Sequence, residues 1–392
     1  MWIFRNTNPI QFDSESVRVF EQVIGKGNVS FYAKKGLPTH DAFGLPFYPT
    51  VFKTFDKIPF KQAVKEEQPD VIMVDMDYVD TSGVDVPRAT FISDVHSEWS
   101  NRKQRVQSGQ VDMILTRNYG GGIGFRIKTE LCPVGYSPWA VSTRMFYDLH
   151  QERIHNAYFS GVFGPIYPLR IVMRHHIPID GKTYVADNKT FNHSQYLATL
   201  NKSKILAFDT GLFKFSVMKF FEGMACNTLV ASNLPYDYKA LGFEPNVTMV
   251  QLGFRNFAEQ LTYYIENESE RKKIARNGME LIFKRHTKEA RSKQLIAQFE
   301  ELINAKNEGR PFNAQNVKGD AGEMLRVLEK DEDVFDKTNT LHQCISQKMP
   351  TDELKDSEVL HRWYVNAHTF WGKIRAGNVP VEDWIKFIGE DF

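Results

Sequence analysis

A chain of 392 residues, 42% hydrophobic and 13% aromatic, exceeds one ordinary domain and has enough apolar material for two cores of roughly 150 residues each. Its 49 Lys and Arg against 48 Asp and Glu create no global field for a polyanion or a membrane surface, which disfavours a nucleic-acid partner while leaving one permitted. Three well-separated cysteines, Cys132, Cys226 and Cys344, fit neither a disulfide framework nor a zinc module, and no run approaches the ~18 apolar residues of a membrane span, so a cytoplasmic protein without a span is expected.

The opening Met1-Trp2-Ile3-Phe4-Arg5-Asn6 lacks the basic and apolar regions of an export signal, and residues 2–4 read as a first short strand. A second strand is expected at 29–33, a helical stretch at 60–67, and a strand at 71–74 that ends in Asp75 and Asp77. Strands at 89–93 and 111–115 follow, with a basic helix around 101–107 between them. The pattern pauses after Cys132-Pro133-Val134-Gly135-Tyr136-Ser137-Pro138 and restarts at Ala157-Tyr158-Phe159-Ser160-Gly161, which puts a junction near residues 138–155. Alternation then resumes with a helix from Tyr167, strands at 204–207, 228–231 and 247–250, and helices at 217–225 and 256–265. Residues 268–307, rich in Lys, Arg and Glu with apolar residues at helical spacing, read as long helices closing the second domain. Residues 306–392 hold 12 Lys and Arg against 16 Asp and Glu, with helical patches around 321–329 and 356–371. The aromatic cluster Trp363, Tyr364, Phe370 and Trp371 there reads as packing. The expected fold class is α/β: two Rossmann-like domains facing a cleft, at 1–145 and 146–305, and a helical extension at 306–392.

The stretch Phe215-Ser216-Val217-Met218-Lys219-Phe220-Phe221-Glu222-Gly223-Met224-Ala225-Cys226-Asn227-Thr228-Leu229-Val230-Ala231-Ser232 is a helix carrying one carboxylate, a break at Asn227, and a buried strand. A helix start near Phe215 and Ser216 offers unpaired N–H groups and partial positive charge, which suits a diphosphate. Glu222, about two turns on, is placed to accept from two ribose hydroxyls; the competing reading is a surface glutamate on an amphipathic helix.

Phe221-Glu222-Gly223-Met224-Ala225-Cys226-Asn227-Thr228 resembles the F-E-A-M-A-C-G-T signature of GT-B glycosyltransferases of the group 1 kind, in particular those related to the spore-maturation protein CgeB. Other segments fall in that family's order. Asp94-Val95-His96 resembles its D-x-H element, and Pro133-Val134-Gly135-Tyr136-Ser137-Pro138 its P-x-G-x-x-P segment. Phe159-Ser160-Gly161 with Tyr167-Pro168-Leu169-Arg170 resembles F-x-G and Y-P-x-R; Tyr196 with Leu200-Asn201-Lys202-Ser203-Lys204-Ile205 resembles Y-x-x-x-L-N-x-S-K-I; His286-Thr287 with Arg291 resembles H-T-x-x-x-R. The sequence departs from the pattern at three places: Lys214 stands where a second glutamate is usual, Asn227 where glycine is, and Lys219 where arginine is. Asn is the next-best residue for a left-handed helix end.

The resemblance implies a GT-B fold and a hexosyl- or pentosyltransferase whose nucleotide-sugar donor, a UDP- or GDP-sugar, is its substrate. It implies donor binding by Ser160, Gly161, Arg170, Ser216, Lys219 and Glu222, with Arg170 or Lys219 as the diphosphate cation, no metal or other cofactor, and a retaining outcome. On the acceptor side, the domain at 1–145, His96 beside Asp94 is the candidate for orienting or deprotonating a hydroxyl; a local Asp–His hydrogen bond is the alternative. The acceptor stays open among polysaccharide, protein, small molecule and modified nucleic-acid base, with the basic Arg102-Lys103-Gln104-Arg105 permitting the last. Asp75 and Asp77 read as strand-end carboxylates rather than a metal pair, His175-His176 as a surface pair, and Gly120-Gly121-Gly122-Ile123-Gly124 as a flexible cleft-lining loop without P-loop spacing. A catalytically inactive nucleotide-sugar-binding protein, kept open by Lys214, and a sugar-nucleotide epimerase are the rival functions.

Overall fold

The strands assemble into two separate parallel sheets in a computed structural model that describes residues 2–5, 14–25, 28–33, 52–54, 59–74, 80–92, 106–118, 132–161, 167–186, 192–211 and 214–330. The chain divides into two units, one formed by Met1–Pro138 with Lys288–Glu332, the other containing Trp139–Thr287.

The first unit runs β1 (Trp2–Arg5), α1 (Ser14–Ile24), β2 (Val29–Ala33), β3 (Phe52–Thr54), α2 (Phe60–Glu67), β4 (Val71–Val74), β5 (Arg88–Ile92), β6 (Met113–Thr116) and β7 (Val134–Tyr136). All seven strands pair in parallel in the order β3-β2-β1-β4-β5-β6-β7. The central strands β4, β5 and β6 are buried along their whole length, which is why they read as continuous apolar runs rather than as alternating ones. Arg88 is the charged exception: its guanidinium grips Asp112 at 3.0 and 3.2 Å and the Thr81 carbonyl at 3.0 Å, so its charge is matched before it is buried.

The second unit runs β8 (His155–Phe159), α3 (Pro168–His176), β9 (Tyr184–Ala186), α4 (His193–Lys202), β10 (Ser203–Ala207), α5 (Met218–Ala225), β11 (Leu229–Ser232), α6 (Tyr238–Leu241), β12 (Val250–Gln251), α7 (Phe257–Glu266) and α8 (Glu268–Arg285). Its five parallel strands lie in the order β9-β8-β10-β11-β12. Period-two alternation decides the faces: Ile205, Ala207, Leu229 and Ala231 join one core with Phe159, Val172, Phe257, Leu261 and Ile274. Leu206 and Val230 face α5, which approaches closely because position 223 is glycine; a Cβ there would lie 2.5 Å from Leu206 Cδ2 and 2.9 Å from Val230 Cγ2. At the far end of α5, Asn227 takes the left-handed conformation at φ +53°, and the Asn227 and Thr228 amides donate to the Met224 and Gly223 carbonyls at 2.9 and 3.1 Å.

The chain then returns to the first unit. α9 (Lys288–Asn307) lays Leu295, Phe299 and Leu302 into the core formed by Phe20, Val71, Met113 and Leu115. Its Gln298 amide accepts from the Tyr136 N–H at 2.8 Å and donates to the Tyr136 carbonyl at 2.9 Å, covering the outer edge of β7 as another strand would. α10 (Gly319–Lys330) follows in the same unit. The sequence pattern assigned 268–307 entirely to the second domain; only α8 packs there. Helical spacing reports that a face is buried, not which sheet it is buried against.

Candidate functional site

In a strand–helix–strand crossover the helix begins at the carboxyl end of the preceding strand, so α3, α4 and α5 all start along one edge of the second sheet. At that edge β8 and β10 are neighbours whose connections leave in opposite directions, to β9 on one side and to β11 on the other. Such a point, where strand order reverses, is where open parallel sheets take their ligands. Ser160 and Gly161 lie just past β8; the Ser160 amide donates to the Ala207 carbonyl at 3.1 Å, and Ser160 is buried. Gly161 has φ +107°, a conformation other residues adopt only with strain, and a Cβ there would sit 2.8 Å from Arg170 Cζ.

The three helix starts are finished differently. α3 follows Tyr167, has Pro168 in its first turn, and is capped from outside by Asp209, whose Oδ2 accepts the Arg170 N–H at 2.9 Å while the Leu169 amide donates to the same carboxylate. The Arg170 guanidinium donates to the Asp209 carbonyl at 3.2 Å, lies 3.8 Å from its Oδ1, and stacks 4.0 Å from the Tyr167 ring centre. Both side chains are almost wholly buried. Burial pushes the Asp209 carboxyl up and the Arg170 guanidinium down, and each partner's charge opposes the other's shift. Arg170 thus stands as half of an internal ion pair packed against Gly161.

α4 is closed by a reciprocal capping box: Asn192 Oδ1 accepts from the Gln195 amide and Gln195 Oε1 from the Asn192 amide, both at 2.9 Å. α5 begins after Val217, whose side chain has no acceptor to offer. Ser216 precedes it, buried, with its hydroxyl donating to Asp237 Oδ2 at 2.9 Å. Lys219 is half-buried in the first turn. Glu222 is 9% exposed, and its Oε2 accepts the Tyr196 hydroxyl at 2.7 Å. It is therefore not a surface residue of an amphipathic helix. Tyr196 belongs to the first turn of α4, so the bond ties that turn to the second turn of α5. Lys214 is left-handed at φ +46°, its carbonyl accepting from the Tyr236 amide at 2.9 Å.

The opposite edge is held by Arg153. Its guanidinium donates to the carbonyls of Leu200, Ser203, Cys226 and Asn227 and to Thr228 Oγ1, at 2.6 to 3.0 Å. These are the last carbonyls of α4 and α5, the ones a helix cannot satisfy itself. Asp148 accepts from Asn227 Nδ2 at 2.8 Å beside it.

Of the expected site residues, Ser160, Gly161, Arg170, Ser216, Lys219 and Glu222 all lie on the second unit; Arg170 and Lys219 are in first turns, Ser160, Gly161 and Ser216 in the segments before them, and Glu222 in the second turn of α5. Asp94 and His96 lie outside the described residues, as do Asp75, Asp77, 102–105, 120–124 and the aromatic cluster at 363–371. His176 is exposed at the end of α3. Among the described residues no group of three His, Cys, Asp or Glu side chains is gathered as a metal site would require. Sequence reasoning gave no role to Asp209, Tyr196 or Arg153. Asp209 had a signal, a carboxylate two residues past an expected strand; Arg153 had none.

Residues 160–297 match the family model described as glycosyl transferase-like. No curated protein sequence matches the chain. Among solved structures, sucrose-phosphate synthase from Thermosynechococcus elongatus is similar at TM-score 0.51 and 10% identity, over 78% of this chain and 99% of that one. A glycosyltransferase from Rickettsia africae is similar at 0.53 and 9%, over 77% and 98%. Anabaena HepE in complex with UDP and glucose is similar at 0.52 and 10%, over 76% and 99%. At these identities the likeness is one of fold: the chain has the α/β fold of GT-B type, with a helical region toward its C-terminus.

Proposed function

We propose that the protein is a glycosyltransferase that holds a nucleotide-diphosphate sugar on its second unit and passes the sugar to an acceptor. The observation that carries this reading is α5: it begins behind Val217, whose side chain offers no acceptor, and it carries Glu222, whose carboxylate accepts from Tyr196 in the first turn of α4. α3 and α4 already have their caps from Asp209 and from Asn192 with Gln195. The amides of the α5 start suit the donor diphosphate. Gly161 lets backbone approach it, and Lys219 is the fixed cation. Arg170, matched by Asp209, frames the site instead of meeting the phosphates. Ser216, tied to Asp237, does the same for the segment that enters α5. Glu222, whose carboxylate accepts from Tyr196, is the group that meets the ribose hydroxyls.

Breaking the bond from the anomeric carbon to the diphosphate leaves charge on phosphate oxygens, which the α5 start and Lys219 stabilise without a metal. We assign a retaining outcome, a hexosyl or pentosyl donor and membership of the CgeB-related group on the motifs of residues 85–295. Residues 1–138 with 288–330 form the acceptor side, where His96 with Asp94 orients or deprotonates the acceptor hydroxyl; 139–287 form the donor side. Buried free thiols at Cys132 and Cys226 support a cytoplasmic setting. UDP is the first nucleotide to test, since HepE, of similar fold, has been captured with UDP and glucose.

The test is thermal stabilisation by UDP, GDP and their common sugar forms, followed by assay of nucleotide release. The expected result is that one nucleotide class raises Tm in proportion to its affinity and that its sugar form is slowly hydrolysed to the diphosphate. Absence of any nucleotide-dependent shift refutes the proposal. Lys214, left-handed where the resemblance calls for glutamate, favours a second reading as a binding protein without transferase activity. Stabilisation by a sugar nucleotide with no release or transfer would select it.

A further inference from the structure

We infer that Tyr196 is a positioning residue of the donor site, setting the plane of the Glu222 carboxylate to meet the ribose; this rests on the donor reading above. The torsion that turns a glutamate carboxylate about its last carbon–carbon bond is soft, with broad minima. A carboxylate that must accept two hydroxyls at once therefore needs an outside group to choose its plane. The Tyr196 hydroxyl, 2.7 Å from Oε2, is such a group.

The phenol ring is itself held by two other chain segments. It packs edge-on against Phe146 at 6.0 Å and 80°, and against Tyr158 of β8 at 6.1 Å and 66°. Both of those rings are buried. Phe146 also packs edge-on against His193, 5.2 Å away, so it clasps the first turn of α4 at two residues. Residues 146–149 are fastened to the last turn of the same helix, where the Leu149 amide donates to Asn201 Oδ1 at 2.7 Å and Asn201 Nδ2 donates to the Tyr147 carbonyl at 3.2 Å. Tyr196 is thus anchored at its ring, and its hydroxyl reaches across from α4 to α5.

The test compares UDP with 2′,3′-dideoxy-UDP, and GDP with its dideoxy form, by calorimetry on the wild type, Tyr196→Phe and Glu222→Gln. Tyr196→Phe keeps the ring and removes only the hydroxyl. The wild type should prefer the ribose form by about tenfold or more, Glu222→Gln should erase that preference, and Tyr196→Phe should erase most of it, as expected for a hydrogen bond to a charged group. Affinity for the dideoxy form should stay within about twofold in Tyr196→Phe, because a lost plane costs only the ribose contacts. If Tyr196→Phe retains the full preference, or weakens both forms equally alongside a lower Tm, the positioning role is overturned while the donor site stands. If the wild type has no preference, or Glu222→Gln keeps it, the assignment of Glu222 falls and takes Tyr196 with it.

Discussion

At the amino-terminal edge of the second sheet, one guanidinium gathers the helix ends around it. Arg153 collects the trailing carbonyls of α4 and α5 and the hydroxyl of Thr228, with Asp148 and Asn227 alongside. At the carboxyl-terminal edge, the same helices begin. There Asn192 and Gln195 close α4 and Asp209 closes α3, but α5 opens behind a valine. Both edges are made of the same strands and helices. Among the described residues they differ in what the chain supplies: at one edge Arg153 meets the helix ends, and at the other the Val217 side chain offers α5 no acceptor, which suits that start to an outside anion.

The largest expected effect comes from breaking the closed edge. Arg153→Met leaves several buried carbonyls without a donor and should cost about 3–5 kcal/mol in urea unfolding. The variant that remains folded should keep nucleotide affinity within about threefold, as for a residue remote from the ligand. A folded Arg153→Met protein that had lost nucleotide binding would show that the two edges do not divide the work. Next in size, Lys219→Ala should weaken a nucleoside diphosphate by about tenfold or more, in a salt-sensitive way, and leave the bare nucleoside unaffected. Equal losses for diphosphate and nucleoside in titration calorimetry would remove Lys219 from the phosphate site.

A smaller effect is in the rate of thiol chemistry. Burial, reinforced by the nearby Glu222 charge, pushes the Cys226 thiol up to about 12, so almost no thiolate exists at pH 8. In a Cys132→Ser, Cys344→Ser background, a disulfide reagent should label Cys226 only through opening of the closed edge. Labelling should be faster in Arg153→Met and should become immediate in denaturant. Prompt labelling of the native protein would show that this edge is not closed. The smallest effect is at Asp180, in the turn before β9, whose Oδ1 accepts the amides of Lys182, Thr183 and Tyr184 at 2.7 to 3.0 Å. Those donors hold its carboxyl at about 2, below the ordinary 3.8. A depressed carboxylate contributes stability above its unfolded value and loses it as the pH falls through the folded one. The Tm difference between wild type and Asp180→Asn should be constant from about pH 5 upward and shrink between 3.8 and about 2. A difference independent of pH would mean that the turn does not depend on the charge.

Much of the architecture was legible in local pattern. Apolar runs placed β2, α2 and β4 at the residues where they occur, and β10, α5 and α7 within a residue or two. α1, β3, β7, β9, α4 and α6 went unmarked. The strands among these are three residues long, too short for periodicity to stand out against loops. In the candidate site, Glu222 and Lys219 were legible because a helix with one carboxylate between two apolar runs is a local feature. Arg153 was not, since its partners lie 47 to 75 positions away and no local pattern marks a guanidinium that will meet helix ends.

By itself the sequence determined the alternation of strand and helix, the left-handed stop at Asn227 and the placing of a carboxylate on α5. These depend on the chemistry of neighbours within a few residues. Only the tertiary structure decided that α9 returns to the first sheet through Gln298 and Tyr136, 162 positions apart, and that Arg170 pairs with Asp209. It also decided that Tyr196 meets Glu222. Each of those pairings depends on which strands lie side by side, and a burial period in the chain states how much surface is covered but not by what.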